Sequence, residues 1–139
     1  MTSTPRLTPM SATDVRQRAA TAREHLQVAW ERLELAIANP GPSELAQVAA
    51  SNAVLAGIAA ADAICGAKLH VRAGDQDHRA AVGLTATIDP GGKELSQRLL
   101  RLLRNKTTLQ YGGFCTAATA QQTVTLAAAL VDALDTYLP

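Results

Sequence analysis

The chain has 139 residues, which is enough for one domain whose hydrophobic core needs no disulfide or metal to stabilise it. Hydrophobic residues make up 47% of the chain but aromatic residues only 3%, which favours closely packed helices over a sheet. The net charge of +1 excludes a polycation, so any strongly positive site has to be local.

Cysteine content and the N-terminal sequence indicate the compartment. Two cysteines, Cys65 and Cys115, do not make a disulfide framework, and we expect both to be free thiols in a reducing cytosol. The start, MTSTPRLTPMSATD, lacks the apolar centre of a signal peptide. No run of 18 apolar residues occurs, so we expect no membrane span and no contact with a membrane.

The first segments predict a disordered arm followed by a long helix. Residues 1–10 hold two prolines and several threonines and are predicted to be disordered, which leaves 11–139 as a single domain. Ser11 or Thr13 is expected to cap the first helix, and Asn39-Pro40-Gly41-Pro42 to end it. Trp30 lies beside the apolar stripe and is expected in the core or at a dimer interface. The stripe itself comprises Val15, Ala19, Ala22, Leu26, Ala29, Leu33 and Ala36.

The second helix is predicted to run from a Ser43 cap to about Val71 and to be the most buried helix. Its middle is dominated by alanine and glycine, whose small side chains let neighbouring helices come close. Asn52 and Asp62 share a helix face with apolar residues and therefore need hydrogen-bond partners. The larger apolar side chains that supply its apolar mass are Leu45, Val48, Leu55, Ile58, Ile64 and Leu69.

Three further helices complete the predicted fold. The third runs from Gln76 to about Ala86 with Asp75 as its cap, and a turn follows at 89–92. The fourth runs from Lys93 to about Thr108 with Leu95, Leu99, Leu102 and Leu103 inward, and Thr116 caps the last. The last helix is expected to turn Ala117, Val124, Ala128, Val131, Leu134 and Leu138 inward. No strand is predicted. The fold class is therefore all-α, an antiparallel helical bundle of four long helices plus one short helix.

The stretch RLLRLLRNKTTLQYGGF concentrates the positive charge of the chain. Residues 93–106 carry five basic side chains and one acidic, a net charge of +4, whereas the other 125 residues carry eight basic and eleven acidic. Helical spacing places Arg98, Arg101, Arg104 and Asn105 on one face. Such a face is commonly just solvated. Here it continues into an aromatic turn, and rings beside arginines can hold nucleotide bases and phosphates. The candidate ligand or RNA-binding set is Arg98, Arg101, Arg104, Asn105, Lys106, Gln110 and Tyr111.

Two stretches carry a family resemblance. LLRLLRNKTTLQYGG, residues 99–113, and SNAVLAGIAAADAICGAKLHVRAGDQDHRAAV, residues 51–82, resemble the HEPN superfamily, particularly its small actinobacterial members. That resemblance implies a compact, commonly dimeric helical bundle. Many HEPN proteins are metal-independent ribonucleases of toxin–antitoxin, phage-defence and CRISPR-linked systems. Their motif is an arginine, often followed by a polar residue, and a histidine that is separated from the arginine by four to six residues.

The motif is only half present in this chain. Arg104 and Asn105 match the arginine and the polar residue, but the positions for the histidine hold Leu109, Gln110 and Tyr111. Counting from the previous arginine of the face also reaches no histidine. Asn105 and Tyr111 join Arg104 as candidate catalytic residues, although a phenol is a poor base at neutral pH. His78 has a suitable intrinsic pKa, but it lies on another predicted helix, where solvent or Asp75 is its expected partner.

Three interpretations follow. The first is a HEPN-like protein without standard ribonuclease activity that binds RNA, a nucleotide or a protein partner such as an antitoxin or nucleotidyltransferase. The second is an active ribonuclease toxin, and the third is a purely structural dimer. We expect a cytoplasmic homodimer without metal or cofactor, in which Arg104 and Tyr111 line a shared cleft. Asp62 and His78 are the candidate polar partners, Asp62 for an arginine of the fourth helix.

Overall fold

The computed structural model describes residues 6–74 and 77–139, with the backbone alone described at residues 107, 108, 110 and 111. This part of the chain is mostly helical, so the all-α prediction is confirmed. Its helices are α1 (Ala12–Ile37), α2 (Glu44–Leu69), α3 (His78–Ala86), α4 (Gly92–Tyr111), α5 (Ala117–Asp132) and α6 (Leu134–Tyr137). Two short strands, β1 (Leu7–Pro9) and β2 (Val71–Ala73), form one antiparallel pair.

Local sequence chemistry sets the first residues of three helices, as predicted. The Ser11 hydroxyl accepts a hydrogen bond from the backbone N–H of Asp14 at 3.1 Å, and the carboxylate of Asp14 accepts one from the N–H of Ser11 at 2.9 Å. Ser43 and Thr116 likewise accept from backbone N–H groups at the starts of α2 and α5. Each cap satisfies an N–H group that has no partner inside its helix.

The core is built around α2, which contacts α1, α4 and α5. The α2 helix has more buried residues than any other described helix, which confirms that it is the most buried. Alanine and glycine occupy most of these buried positions. The leucines of α4 predicted to point inward are buried as well. Val48 and Leu55, two of the larger apolar side chains of α2, are 42% and 49% exposed. Small residues of α2 thus fill most of its contacts with the core, while these two larger side chains lie on the open side of its first half.

The length and composition of α2 alone would also allow it to cross a membrane. In this fold, however, most of α2 is buried against the other helices, as in the core helix of a soluble protein. The apolar character of the helix is therefore accounted for by the protein core.

The strand pair overturns two predictions at the N-terminal end. Leu7 pairs with Ala73 and Pro9 with Val71, so the part of the predicted disordered arm that is described forms a strand. Residues 1–5 of that arm lie outside the described residues. The strand pair also explains why α2 stops before Val71. His70 adopts a left-handed conformation with φ 64°, which turns the chain out of the helix and into β2.

Three smaller differences concern α3, Trp30 and the last helix. Asp77 caps α3, while the predicted cap, Asp75, and the predicted first residue, Gln76, lie outside the described residues. Trp30 is 39% exposed and so is a surface residue of this chain, not a core residue. The predicted last helix divides at Ala133 into α5 and α6.

Candidate functional site

The sequence of α4 gives the helix a buried apolar side and an exposed basic side. Leu95, Leu99 and Leu102 are buried against the core, because they recur at spacings of four and three residues. Arg98, Arg101 and Arg104 recur every third residue and are all exposed. The three arginines that the sequence predicted to share a side of the helix therefore all lie at its surface.

An open groove of about 690 Å³ lies between α4 and α5. Its α4 wall is formed by Arg101, Arg104 and Asn105. Its α5 wall is formed by small, amide and hydroxyl side chains with one leucine, namely Ala118, Gln121, Gln122, Thr125 and Leu126. Arg98 is exposed on α4 outside this lining. Two of the three predicted arginines and the predicted Asn105 are thus brought together in one groove.

The charge of the groove comes from α4. The first charged residue of α5 is Asp132, at its last position, so the α5 wall carries hydrogen-bonding groups without charge. The site therefore presents two cations opposite neutral donors and acceptors, an arrangement suited to an anion attached to a polar group.

Asn105 is held by α5. Its Nδ2 donates to the hydroxyl of Thr123 at 3.3 Å, and that hydroxyl donates to the backbone carbonyl of Thr119 at 2.9 Å. Thr123 is fully buried, so water does not compete for its hydroxyl group. The polar residue after the arginine is thus fixed in place by the neighbouring helix.

His78 and Lys106 meet on the other side of α4. The Lys106 Nζ lies 2.8 Å from the Nε2 of His78, which is the first residue of α3. Burial, and then the charge of Lys106, lower the pKa of His78 below its ordinary value of 6.5, while Asp62 and Asp77 oppose that shift. An ammonium group can only donate, so Nε2 accepts and the ring proton resides on Nδ1. Lys106 is therefore engaged by α3 and is not part of the groove wall.

Asp62 pairs with Arg18 of α1, with 2.8 Å between Oδ2 and Nη2. A partner on α4 was expected from the sequence, whereas the ion pair seen for Asp62 is with α1. Close by, the Cys65 thiol lies 3.4 Å from the hydroxyl of Thr85. Burial, and more weakly Asp62, raise the pKa of Cys65 to about 11, so the thiol stays protonated at neutral pH and is a poor nucleophile.

The end of α4 is attached to α2 by one side chain. Gln47 donates from Nε2 to the carbonyl of Leu109 at 3.3 Å, and its Oε1 accepts from the N–H of Cys115 at 3.0 Å. Phe114 is 53% exposed and lines a second, smaller cleft of about 320 Å³ with Gln47 and two glycines. The side chains of Gln110 and Tyr111, both predicted site residues, lie outside those described.

Comparisons with known proteins do not assign the chain to a family. Models of known protein families, curated proteins and solved structures were all compared with the chain, and none of them matches it. Within the described ranges, no group of three His, Cys, Asp or Glu side chains is placed to hold a metal ion. Sequence reasoning missed Gln121, Gln122 and Thr123. The signal available for them was the uncharged run AATAQQTVTL, half of it polar, which is separated from the glycine turn by three residues.

Proposed function

We propose that this protein binds single-stranded RNA in the groove between α4 and α5 and does not cleave it. The observation that carries the proposal is that Arg101 and Arg104 share an open groove with the amides of Asn105, Gln121 and Gln122. Guanidinium groups bind phosphate through paired hydrogen bonds, and amides bind the edges of unpaired bases.

The proposal includes a HEPN-like bundle formed by the four long helices, working in the cytosol as a homodimer within a toxin–antitoxin or defence system. Support for the bundle comes from the arginine–asparagine pair near the end of α4 and from the lengths of α1, α2, α4 and α5. Light scattering on the purified protein should give twice the mass of one chain. A mass equal to one chain would remove the dimer from the proposal.

The absence of cleavage is proposed because the two chemical roles lie on different sides of α4. Arg104 lines the groove, whereas the one histidine seen against α4 within the described residues, His78, is bound to Lys106. Residues two apart on a helix do not face each other, so Arg104 and Lys106 point in different directions. The groove can hold a phosphate without offering an imidazole to move the proton of the 2′-hydroxyl.

The test is fluorescence anisotropy with a labelled ten-residue oligouridylate at increasing salt. Each phosphate contact with a single strand contributes about −0.7 to the slope of log K against log salt. The variant Arg101→Gln/Arg104→Gln should bind more weakly, with a slope shallower by about 1.4. The control Arg16→Gln/Arg32→Gln makes the same change in net charge at exposed positions of α1 and should retain the slope.

Equal losses of affinity in the two double variants would mean that binding depends only on net charge, and would refute the groove as the binding site. The same RNA incubated with the protein should stay intact on a denaturing gel. Cleavage by the wild type that Arg104→Gln abolishes would instead support the ribonuclease toxin.

A further inference from the structure

The side-chain amide of Asn105 has a defined direction. The hydroxyl of Thr123 lies 2.9 Å from the carbonyl oxygen of Thr119, which can only accept, so the hydroxyl hydrogen is directed there. The oxygen of Thr123 is then an acceptor for Asn105, 3.3 Å away, and the atom that faces it has to be the Nδ2 donor. The hydrogen bonds of Thr123 therefore fix which end of the Asn105 amide is the nitrogen and which is the oxygen.

Turning the amide over would be unfavourable. It would place the Asn105 carbonyl oxygen against the Thr123 oxygen, two acceptors without a hydrogen between them, at a residue with 0% exposure. In the observed orientation Oδ1 makes no hydrogen bond with any described residue, and Asn105 lines the groove. The groove thus offers one carbonyl oxygen in a fixed orientation beside Arg101 and Arg104, whose side chains are exclusively donors.

We infer that Asn105 is a specificity residue that accepts a hydrogen bond from an N–H group on a base edge. This inference rests on the proposed function, since Arg101 and Arg104 hold the phosphate of the same nucleotide unit. The ligand class is a nucleotide in single-stranded RNA whose base presents an N–H donor at the position that Asn105 faces. The exposed amides of Gln121 and Gln122 can rotate to present either atom, so the selection falls to the amide that is held. A base without the N–H leaves the carbonyl oxygen unpartnered and binds more weakly.

Uracil is the sharpest probe because N3–H is the single N–H donor on its ring once it is joined to ribose. We compare ten-residue oligomers of uridine, N3-methyluridine and 5-methyluridine, the last of which adds the same methyl group but retains the N–H. Wild-type protein should bind the uridine and 5-methyluridine oligomers about equally and the N3-methyl oligomer about five- to tenfold more weakly. In Asn105→Leu the three affinities should become equal, while the salt slope stays that of the wild type.

Thr123 provides a second variant that touches the ligand only through Asn105. Thr123→Val removes the acceptor that orients the amide, so the discrimination between uridine and N3-methyluridine should fall towards one. Thr123→Ser keeps the hydroxyl and should retain the discrimination. A purely structural role of Thr123 would change the melting temperature without changing this ratio.

Failure of the inference can be told apart from failure of the proposed function. If the uridine oligomer binds with a slope that depends on Arg101 and Arg104, yet wild type and Asn105→Leu show the same ratio, the inference falls and RNA binding stands. If no oligomer binds, both fall. If Asn105→Leu loses the ratio and Thr123→Val keeps it, the orienting role is overturned. Should Asn105→Leu fail to fold, the valine and serine variants of Thr123 decide the question, and equal ratios in those two overturn it.

Discussion

Gly57 has no side chain, which lets α4 and α5, the two helices that form the groove, pack close to α2. A Cβ atom built there would overlap with a methyl group of Leu102 on α4 and lie 3.3 Å from a methyl carbon of Leu130 on α5. Both leucines are 0% exposed, so neither side chain can relieve the overlap by moving into solvent. Replacing glycine with alanine inside a helix stabilises by roughly 0.5–1 kcal/mol, whereas overpacking a full core costs about 1–3 kcal/mol. We therefore expect Gly57→Ala to lower the free energy of unfolding by about 1–2 kcal/mol.

The assay is urea unfolding followed by the helical circular dichroism signal, with Gly83→Ala as the matched control. Gly83 lies within α3, is exposed, and has nothing within 4 Å of a built Cβ atom. Its replacement should stabilise by about 0.5–1 kcal/mol. In the double variant Gly57→Ala/Leu102→Ala the overlap is gone, so its cost should be at least about 1 kcal/mol less than the sum of the singles. If Gly57→Ala stabilises as much as the control, or the two changes add, the packing argument is wrong.

Three other predictions concern titratable groups. The lowered pKa of His78 means that the unfolded chain takes up a proton first as the pH falls through 6.5, so stability should decline below that pH and decline less in His78→Gln. At pH 8 a thiol reagent should modify the half-buried Cys115 slowly, because burial raises its pKa, and should leave Cys65 unmodified until urea unfolds the protein. Asp62→Ala leaves an arginine of α1 without its carboxylate and should destabilise by about 1–3 kcal/mol in thermal or urea melts.

Each of these has an outcome that would contradict it. A pH profile of stability that is identical in His78→Gln would show that His78 keeps its ordinary pKa. Fast labelling of Cys65 in the folded protein would mean that α2 opens far more often than its burial indicates. An Asp62→Ala protein as stable as the wild type would show that the Arg18 pair contributes nothing net, as happens at exposed sites.

Local chemistry predicts the helix starts well and the phase of α2 poorly. Ser11, Ser43 and Thr116 were identifiable as caps because the hydrogen bond each makes reaches only three residues along the chain. The exposure of Val48 and Leu55 could not be predicted, because α2 has small apolar residues on every side and such a helix carries a weak periodic signal. The short strand pair was missed for a related reason, since three residues are too few to show alternation.

The candidate site likewise has one part that the sequence predicts and one part that it does not. Arg101, Arg104 and Asn105 could be grouped from their spacing, because they lie on one helix and helical geometry fixes their relation. The α5 wall and the pair of Lys106 with His78 depend on which helices pack together, and that packing is decided by core side chains far away in the sequence. A sequence pattern reveals one wall of a groove, while the second wall depends on tertiary structure.

The placement of α3 and α5 on different sides of α4 bears directly on the chemistry. To bring His78 to a phosphate held by Arg104, α3 would have to move around α4 and give up the 2.8 Å contact with Lys106. Lys106 would then be left half-buried without that acceptor. The bond from Asn105 to Thr123 meanwhile holds α4 to α5 on the groove side. The same packing that forms the groove between α4 and α5 thus keeps the imidazole of His78 out of it, which supports the proposal of RNA binding without cleavage.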